Sequence, residues 1–401
     1  MRQDFDCGEP LTAVKQWPKE GEMTALFDSD IVPYIVGFSK DPLQYWQAKQ
    51  SDNFEDHFAW KACIEHASQL INKWITQAGC DSCLFYVTDS DNNFRNEIAV
   101  SQTYKGDRTA EKPPFFHELK QWLVDFHEAR VSDNCEADDE ISIEAWKRIK
   151  QAKEDGIELW TEMHKEHSNF KILSLDKDLS IIPTWHSNLD DGEDFWITPL
   201  GHLDPVYKPK MVNEYAYWPL FKGEPVDVRN CSFMDIDDEG TIMPKPYHEH
   251  PCSTGDIKAV RNEIWFYSPK GVPEMQDVYT KGVNQGKGKF KRVIVGKIEV
   301  DVIVRLKGGG LKFFYSQLLT GDTADCYSGL KGVGASTAFE KLNFKMSEKE
   351  LHHTVLSMYR EKHRHLAEEK MLESGQLAWM QTYPGELWQH PESSQDRSFP
   401  L

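Results

Sequence analysis

The chain has 401 residues and a formal charge of −19, with 39% hydrophobic and 28% charged residues. That length holds one large domain or two to three ordinary ones, and the composition fits a folded protein with a sizeable core. The acidity argues against wrapping nucleic acid by bulk electrostatics, because phosphate binding leaves a basic footprint, unless the carboxylates gather around metal ions.

In chain order, three apolar runs end in the same way. TALFDSD closes on Asp28 and Asp30, LFYVTDSD on Asp89 and Asp91, and KILSLDKD on Asp176 and Asp178. Each reads as a buried strand with carboxylates at its C-terminal end. Between them, residues 54–78, 115–130 and 142–167 have helical periodicity; Leu70, Ile71, Trp74 and Ile75 share a face, and Gly79 is the stop. Alternating strand and helix predicts an α/β fold with a parallel sheet, in which the three Asp-x-Asp endings converge on a crevice outside the strand ends. From 201 to 310 Pro and Gly punctuate short β-like runs such as KRVIVGKIEVDVIVRL, predicting an inserted β-rich module. Within it and just beyond, residues 281–312 carry nine Lys and Arg against Glu299 and Asp301, which is either an edge strand blunted by lysines or an added DNA clamp. After 347 the chain is helical, and the tail HPESSQDRSFPL is expected to be loose.

The stretch VSDNCEADDEISIEA, 131–145, has six acidic and no basic residues. By itself it is an acidic helix N-terminus favoured by the dipole. Together with the strand ends it makes a carboxylate cluster that would repel itself unless cations neutralised it, and hard oxygen ligands imply magnesium or manganese. Two such ions about 4 Å apart can activate a water and stabilise the leaving oxygen of a phosphoryl displacement. Farther on, Asp322 and Asp325 are three apart, on a helix or at its entry, where they share a face. Gly329, Gly332 and Gly334 follow, leading into the helical ASTAFEKL; glycines admit a close anion and a helix N-terminus offers it free N–H groups.

The motifs LFDSD (26–30), VTDSDNNFR (87–95), YKGDR (104–108), EADDEI (136–141), LDKD (175–178) and GDTADCYSGLKGVG (321–334) resemble, in order, those of the flap-endonuclease family of structure-specific 5′ nucleases, and are most similar to the 5′→3′ exonucleases of T-odd-type bacteriophages. The resemblance implies a PIN-like parallel-sheet core over 23–200 and 311–346, with a helical arch and a helix-three-turn-helix motif at 321–342. Residues 1–22 are then an N-terminal extension, 201–310 an insertion and 347–401 a C-terminal helical region. It implies metal ligation by Asp28, Asp89, Glu136, Asp138, Asp139, Asp176, Asp178, Asp322 and Asp325, holding two Mg2+ or Mn2+ ions. Lys105 and Arg108 match the arch positions that contact the scissile phosphate, and Arg95 matches a basic residue on the way into the arch; Tyr104 beside them offers a DNA-binding ring on which an unpaired terminal base can stack. Gly329, Gly332 and Gly334 match the duplex-gripping turn, which in relatives can hold K+. Asp30 and Asp91 gain no role this way, and capping is expected of them.

The activity so implied is 5′-end-directed hydrolysis of DNA, including flaps and RNA–DNA hybrids, alongside phage replication or recombination proteins in a bacterial cytoplasm. An N-terminus without the basic start and apolar stretch of a signal peptide agrees with that location, as does the lack of any apolar run of about 18 residues. Two other readings stand beside it. LFDSDIV also resembles the first motif of haloacid-dehalogenase-type phosphatases, and a non-catalytic DNA-structure-binding protein can share the nuclease fold. Eight scattered cysteines are read as reduced thiols, the Cys80-x-x-Cys83 pair as inert, and His248, His250 and Cys252, with Cys231 upstream, do not follow a zinc-finger spacing.

Overall fold

The computed structural model describes residues 21–89, 92–107, 111–219, 280–283, 285 and 290–391, and the short strands 234–236, 242–244 and 263–265. Asp91, Arg108, Cys231, the His248–Cys252 cluster, the tail from 392 and all but the last two residues of the N-terminal extension lie outside them. The chain forms two units, Met1–Val206 with Ile303–Leu401, and Tyr207–Val302.

In chain order the first unit contains β1 (Thr24–Asp28), α1 (Ile31–Phe38), α2 (Pro42–Lys49), α3 (Phe58–Gln77), β2 (Ser82–Val87), α4 (Arg95–Ile98), α5 (Phe116–His127), β3 (Arg130–Val131), α6 (Ala137–Glu154), α7 (Glu162–His167), β4 (Phe170–Ser174), β5 (Trp185–Asn188) and β6 (Asp194–Trp196). The strands form one sheet in the order β3-β2-β1-β4-β5-β6, parallel except for β6. After β1 the chain builds outward to β2 and β3, then returns to place β4 on the other side of β1. The order therefore reverses between β1 and β4, where a crevice opens at the strand ends.

The apolar runs become strands because both faces of each are covered. Ala25, Phe27, Cys83 and Phe85 pack on one side with Trp60, Ile71 and Trp74 of α3 and Leu119 and Leu123 of α5. Leu26, Leu84, Tyr86 and Ile172 pack on the other with Ile141, Trp146 and Ile149 of α6. The expected helix over 54–78 is α3, and it stops where Gly79 turns left-handed at φ 62°. The helix expected over 142–167 breaks in two, since Gly156 turns left-handed at φ 85° after α6 and Thr161 caps α7 anew.

The second unit holds β8 (Met234–Ile236), β9 (Ile242–Pro244), β10 (Glu263–Trp265) and most of β7 (His202–Pro219) and β11 (Phe290–Gly309), which cross its bounds at Val206 and Ile303; the sheet order is β10-β7-β11, and β8 and β9 pair antiparallel. After β11 the first unit continues with α8 (Gly310–Thr320), β12 (Gly321–Asp322), β13 (Tyr327–Ser328), α9 (Ala335–Leu342), α10 (Glu348–His363) and α11 (Ala367–Ala378). These helices bury a third core around Phe314, Tyr315, Leu318, Leu351, Val355, Met371 and Trp379. No described helix is long and apolar enough to cross a membrane.

Candidate metal centre

A cavity of about 730 Å³ lies at the reversal point of the sheet. Asp28 enters it from the end of β1, Asp89 from beyond β2, Glu136 and Asp138 from the N-terminus of α6, and Asp176 from beyond β4. Five of the nine expected ligands thus meet there. Burial, reinforced by the Asp30 charge, pushes the Asp28 carboxyl up to about 7, although Ser174 Oγ donates to it at 2.9 Å. Burial and the charges of Asp28, Asp176 and Glu136 hold Asp138 well above the usual carboxylate range. Glu136 goes the other way: burial raises it, but Lys105, which donates to Oε1, and Arg95 hold it below its ordinary value. Tyr104 adds a hydroxyl donor to Glu136 Oε2 at 3.1 Å.

Asp178, Asp322 and Asp325 form a second set. Asp178 opens the 3-10 turn 178–181, and burial with the Asp176 charge pushes it up to about 7. Asp322 and Asp325 do not share a helix face as expected. Asp322 closes β12 and Asp325 sits in the β12–β13 hairpin turn, because Gly321 at φ 70° ends α8 before them and Cys326 at φ 59° turns the chain after them. Lys105 ties the two sets together: its backbone N–H donates to Asp325 O at 3.1 Å, and its Nζ contacts Glu136 and lies 3.6 Å from Asp325 Oδ1.

Two expected site residues are placed elsewhere. Asp139 is 0% exposed and turned away from the cavity. Arg95 Nη1 and Nη2 donate to its two oxygens at 2.5 and 2.9 Å, and the N–H groups of Glu136 and Gln381 donate at 3.1 and 3.2 Å. Arg95 is itself 1% exposed and also donates to Leu377 O and Trp379 O. A guanidinium so enclosed is out of reach of a nucleic-acid backbone. Tyr104, at 6% exposure, is likewise a buried partner of Glu136 rather than a free stacking platform. Asp30 stands at the N-cap of α1 without a side-chain cap bond; its carboxylate accepts Thr88 N–H at 3.0 Å and pairs with Lys120.

The described residues of the 99–115 connection form turns, not the helix of an arch; Gly106 and the Pro113–Pro114 pair disfavour one. Lys105 is held in the left-handed region at φ 51°. Of the three glycines, Gly329 is required by close approach, since a Cβ there would lie 2.3 Å from Gly321 N and from Leu319 O. Gly332 adopts φ 83° in open space, and Gly334 begins α9 with nothing near it.

Motifs gave no sign of Tyr34, Lys112, Phe116 and Lys120, which complete the cavity wall. Lys112 Nζ contacts the Tyr34 hydroxyl at 2.5 Å and lies 4.6 Å from the Phe116 ring centroid. The cavity therefore sets a carboxylate floor against a cationic and aromatic wall. Its donor set is oxygen only and mutually repelling, which fits a hard divalent cation. Among the described residues no three His, Cys, Asp or Glu side chains stand close enough together to hold an ion.

No family model and no curated protein matches the chain. Among solved structures it is similar to the T5 D15 protein co-crystallized with metal ions, at 10% identity and a TM-score of 0.35, covering 89% of this chain and 99% of that one.

Proposed function

We propose that this protein is a divalent-metal-dependent phosphodiester hydrolase acting on nucleic acid, specifically a 5′→3′ exonuclease with activity on flaps or RNA-primed ends. The observation that carries the reading is the convergence of Asp28, Asp89, Glu136, Asp138 and Asp176 on one cavity at the reversal point of a parallel sheet. Burial holds two of these carboxyls above their ordinary range, so the cavity favours neutralisation by protons or a cation. Asp28, Asp89, Glu136, Asp138 and Asp176 would hold Mg2+ or Mn2+, which when bound lowers the pKa of a water and polarises a phosphoryl oxygen.

The protein's own groups supply the rest. Lys105 sits at the lip of the carboxylate floor, where an ammonium can neutralise charge developing on a transferred phosphoryl group. Lys112 and Lys120 extend that positive edge, and Tyr34 offers a ring face for an unpaired terminal base. The turn 329–334 and the open N-terminus of α9 offer backbone N–H groups to a duplex phosphate. The basic run 281–312 would add salt-sensitive affinity for the same polyanion. The phosphatase alternative needs the second aspartate of LFDSD as a mobile acid, whereas Asp30 is occupied by Thr88 N–H and Lys120.

The test is incubation of the full chain with 5′-labelled duplex, flap and RNA–DNA hybrid in magnesium, manganese or chelator. Metal-dependent release of 5′ nucleotides supports the proposal. Turnover of a small phosphoester with all three nucleic acids left intact overturns it.

A further inference from the structure

The second carboxylate set already contains a cation. Lys177 stands between Asp176 and Asp178 in sequence; its Nζ donates to Asp322 Oδ2 and lies 3.7 Å from Asp178 Oδ1. The neighbouring oxygens are engaged too. Asp322 Oδ1 accepts Ala324 N–H at 2.8 Å, and Asp178 Oδ1 accepts Gln317 Nε2 at 2.5 Å. On the far side Lys105 Nζ takes Asp325 at 3.6 Å, so two lysines together cover all three carboxylates.

Gln317 and Tyr327 are 3% and 7% exposed, and Gln317 Oε1 and the Tyr327 hydroxyl have no hydrogen-bond partner. The Gln317 amide touches Asp178, and the Tyr327 phenol feels the charges of Asp178, Asp322 and Asp325. Lys177 Nζ bonds to neither atom, so both stay open beside the carboxylates it covers.

We infer that Lys177 is a resident cation, its ammonium covering Asp178 and Asp322, carboxylates that the nuclease reading would otherwise give, with Asp325, to a second divalent ion. The chain then needs a single free ion, held by the set around Asp28 and Asp138. The inference rests on the nuclease reading, since that reading is what makes the carboxylates ion-binding. The tether explains why the lysine wins. Lys177 is the residue before the 3-10 turn, with its backbone in the helical region at φ −64° and ψ −25°, so its ammonium is presented at short range. A group on so short a tether acts at an effective concentration of about a millimolar or more, and a free ion must outcompete it and shed water as well.

The experiment counts bound Mn2+ on the full chain by calorimetry, with electron paramagnetic resonance to detect two ions coupled in one site. Wild type and Lys177→Arg are expected to bind a single ion. Lys177→Met is expected to bind a second, and Lys177→Met with Asp322→Asn to lose it again. A coupled pair of ions in the wild type overturns the inference and leaves the nuclease reading standing, a result that needs no variant to fold. An unchanged single ion in folded Lys177→Met also overturns it. No ion in any of the proteins removes the nuclease reading, and this inference with it.

Discussion

Replacing Arg95 by methionine keeps the stem and removes four hydrogen bonds: two to Asp139 at 2.5 and 2.9 Å, and one each to Leu377 O at 3.1 Å and Trp379 O at 2.8 Å. Bonds to charged groups are worth about 1.5–3 kcal/mol each. Their sum overstates the loss, because Asp139 keeps the N–H groups of Glu136 and Gln381 and its charge is only half stranded. Breaking one side of a buried pair costs about 3–5 kcal/mol, and that is the expected destabilisation in urea unfolding followed by tryptophan fluorescence. Adding Asp139→Leu removes the stranded carboxylate, so the double variant should return to within about 1–2 kcal/mol of wild type. A loss below about 1 kcal/mol for Arg95→Met, or additive losses in the double variant, would refute the claim that this pair fastens α6 to the segment after α11.

Other outcomes follow from the same geometry. Asp28 and Asp178 have folded pKa values raised from 3.8 to about 7, so their stabilising contribution is full below the unfolded value and is lost as pH rises toward 7. The metal-free protein should therefore melt at lower temperature at pH 7 than at pH 5, with divalent ion reversing the fall and releasing protons as it binds; a melting temperature that rises over that interval without metal contradicts the assignment. Lys105→Ala should slow cleavage by about 10²–10³ in single-turnover assays, as loss of a charge-stabilising donor does, and an unchanged rate would place the phosphate contact elsewhere. Gly329→Ala drives a Cβ into Gly321 N and Leu319 O and should cost about 1–3 kcal/mol or more, whereas Gly334→Ala, with open space around it, should stay within about 0.5 kcal/mol. Equal melting temperatures for the two variants would show that the turn is not packed as described.

How much of this was readable beforehand depended on the range of the interaction. TALFD, SCLFYV and FKILS carry the apolar content of doubly covered strands and end on or lead into Asp28, Asp89 and Asp176, so the sheet and three of the five converging carboxylates followed from strand pattern, while Glu136 and Asp138 stand at the acidic start of α6. The short strands β3, β5 and β6 escaped notice because two to four residues hold no period. Asp139 shows the limit for the site. EADDEI offers four acids in five residues, but that Asp139 is not among those facing the cavity is decided by Arg95, 44 residues away, and by Gln381, 242 residues away. Lys177 lies inside LDKD, where sequence gives it no role, since only its contact with Asp322, 145 residues on, brings it to the carboxylates.

The central claim is that the cavity at the reversal point is a hydrolytic metal centre, and Asp28→Asn and Asp138→Asn test it most directly. Each should lower single-turnover cleavage of a 5′-labelled flap by about 10³ or more in magnesium, while affinity for the uncut flap, measured in calcium, changes by only a few-fold. Each should also melt no lower than the wild type without metal, because it removes a charge that burial disfavours. Cleavage retained in both folded variants would contradict the account.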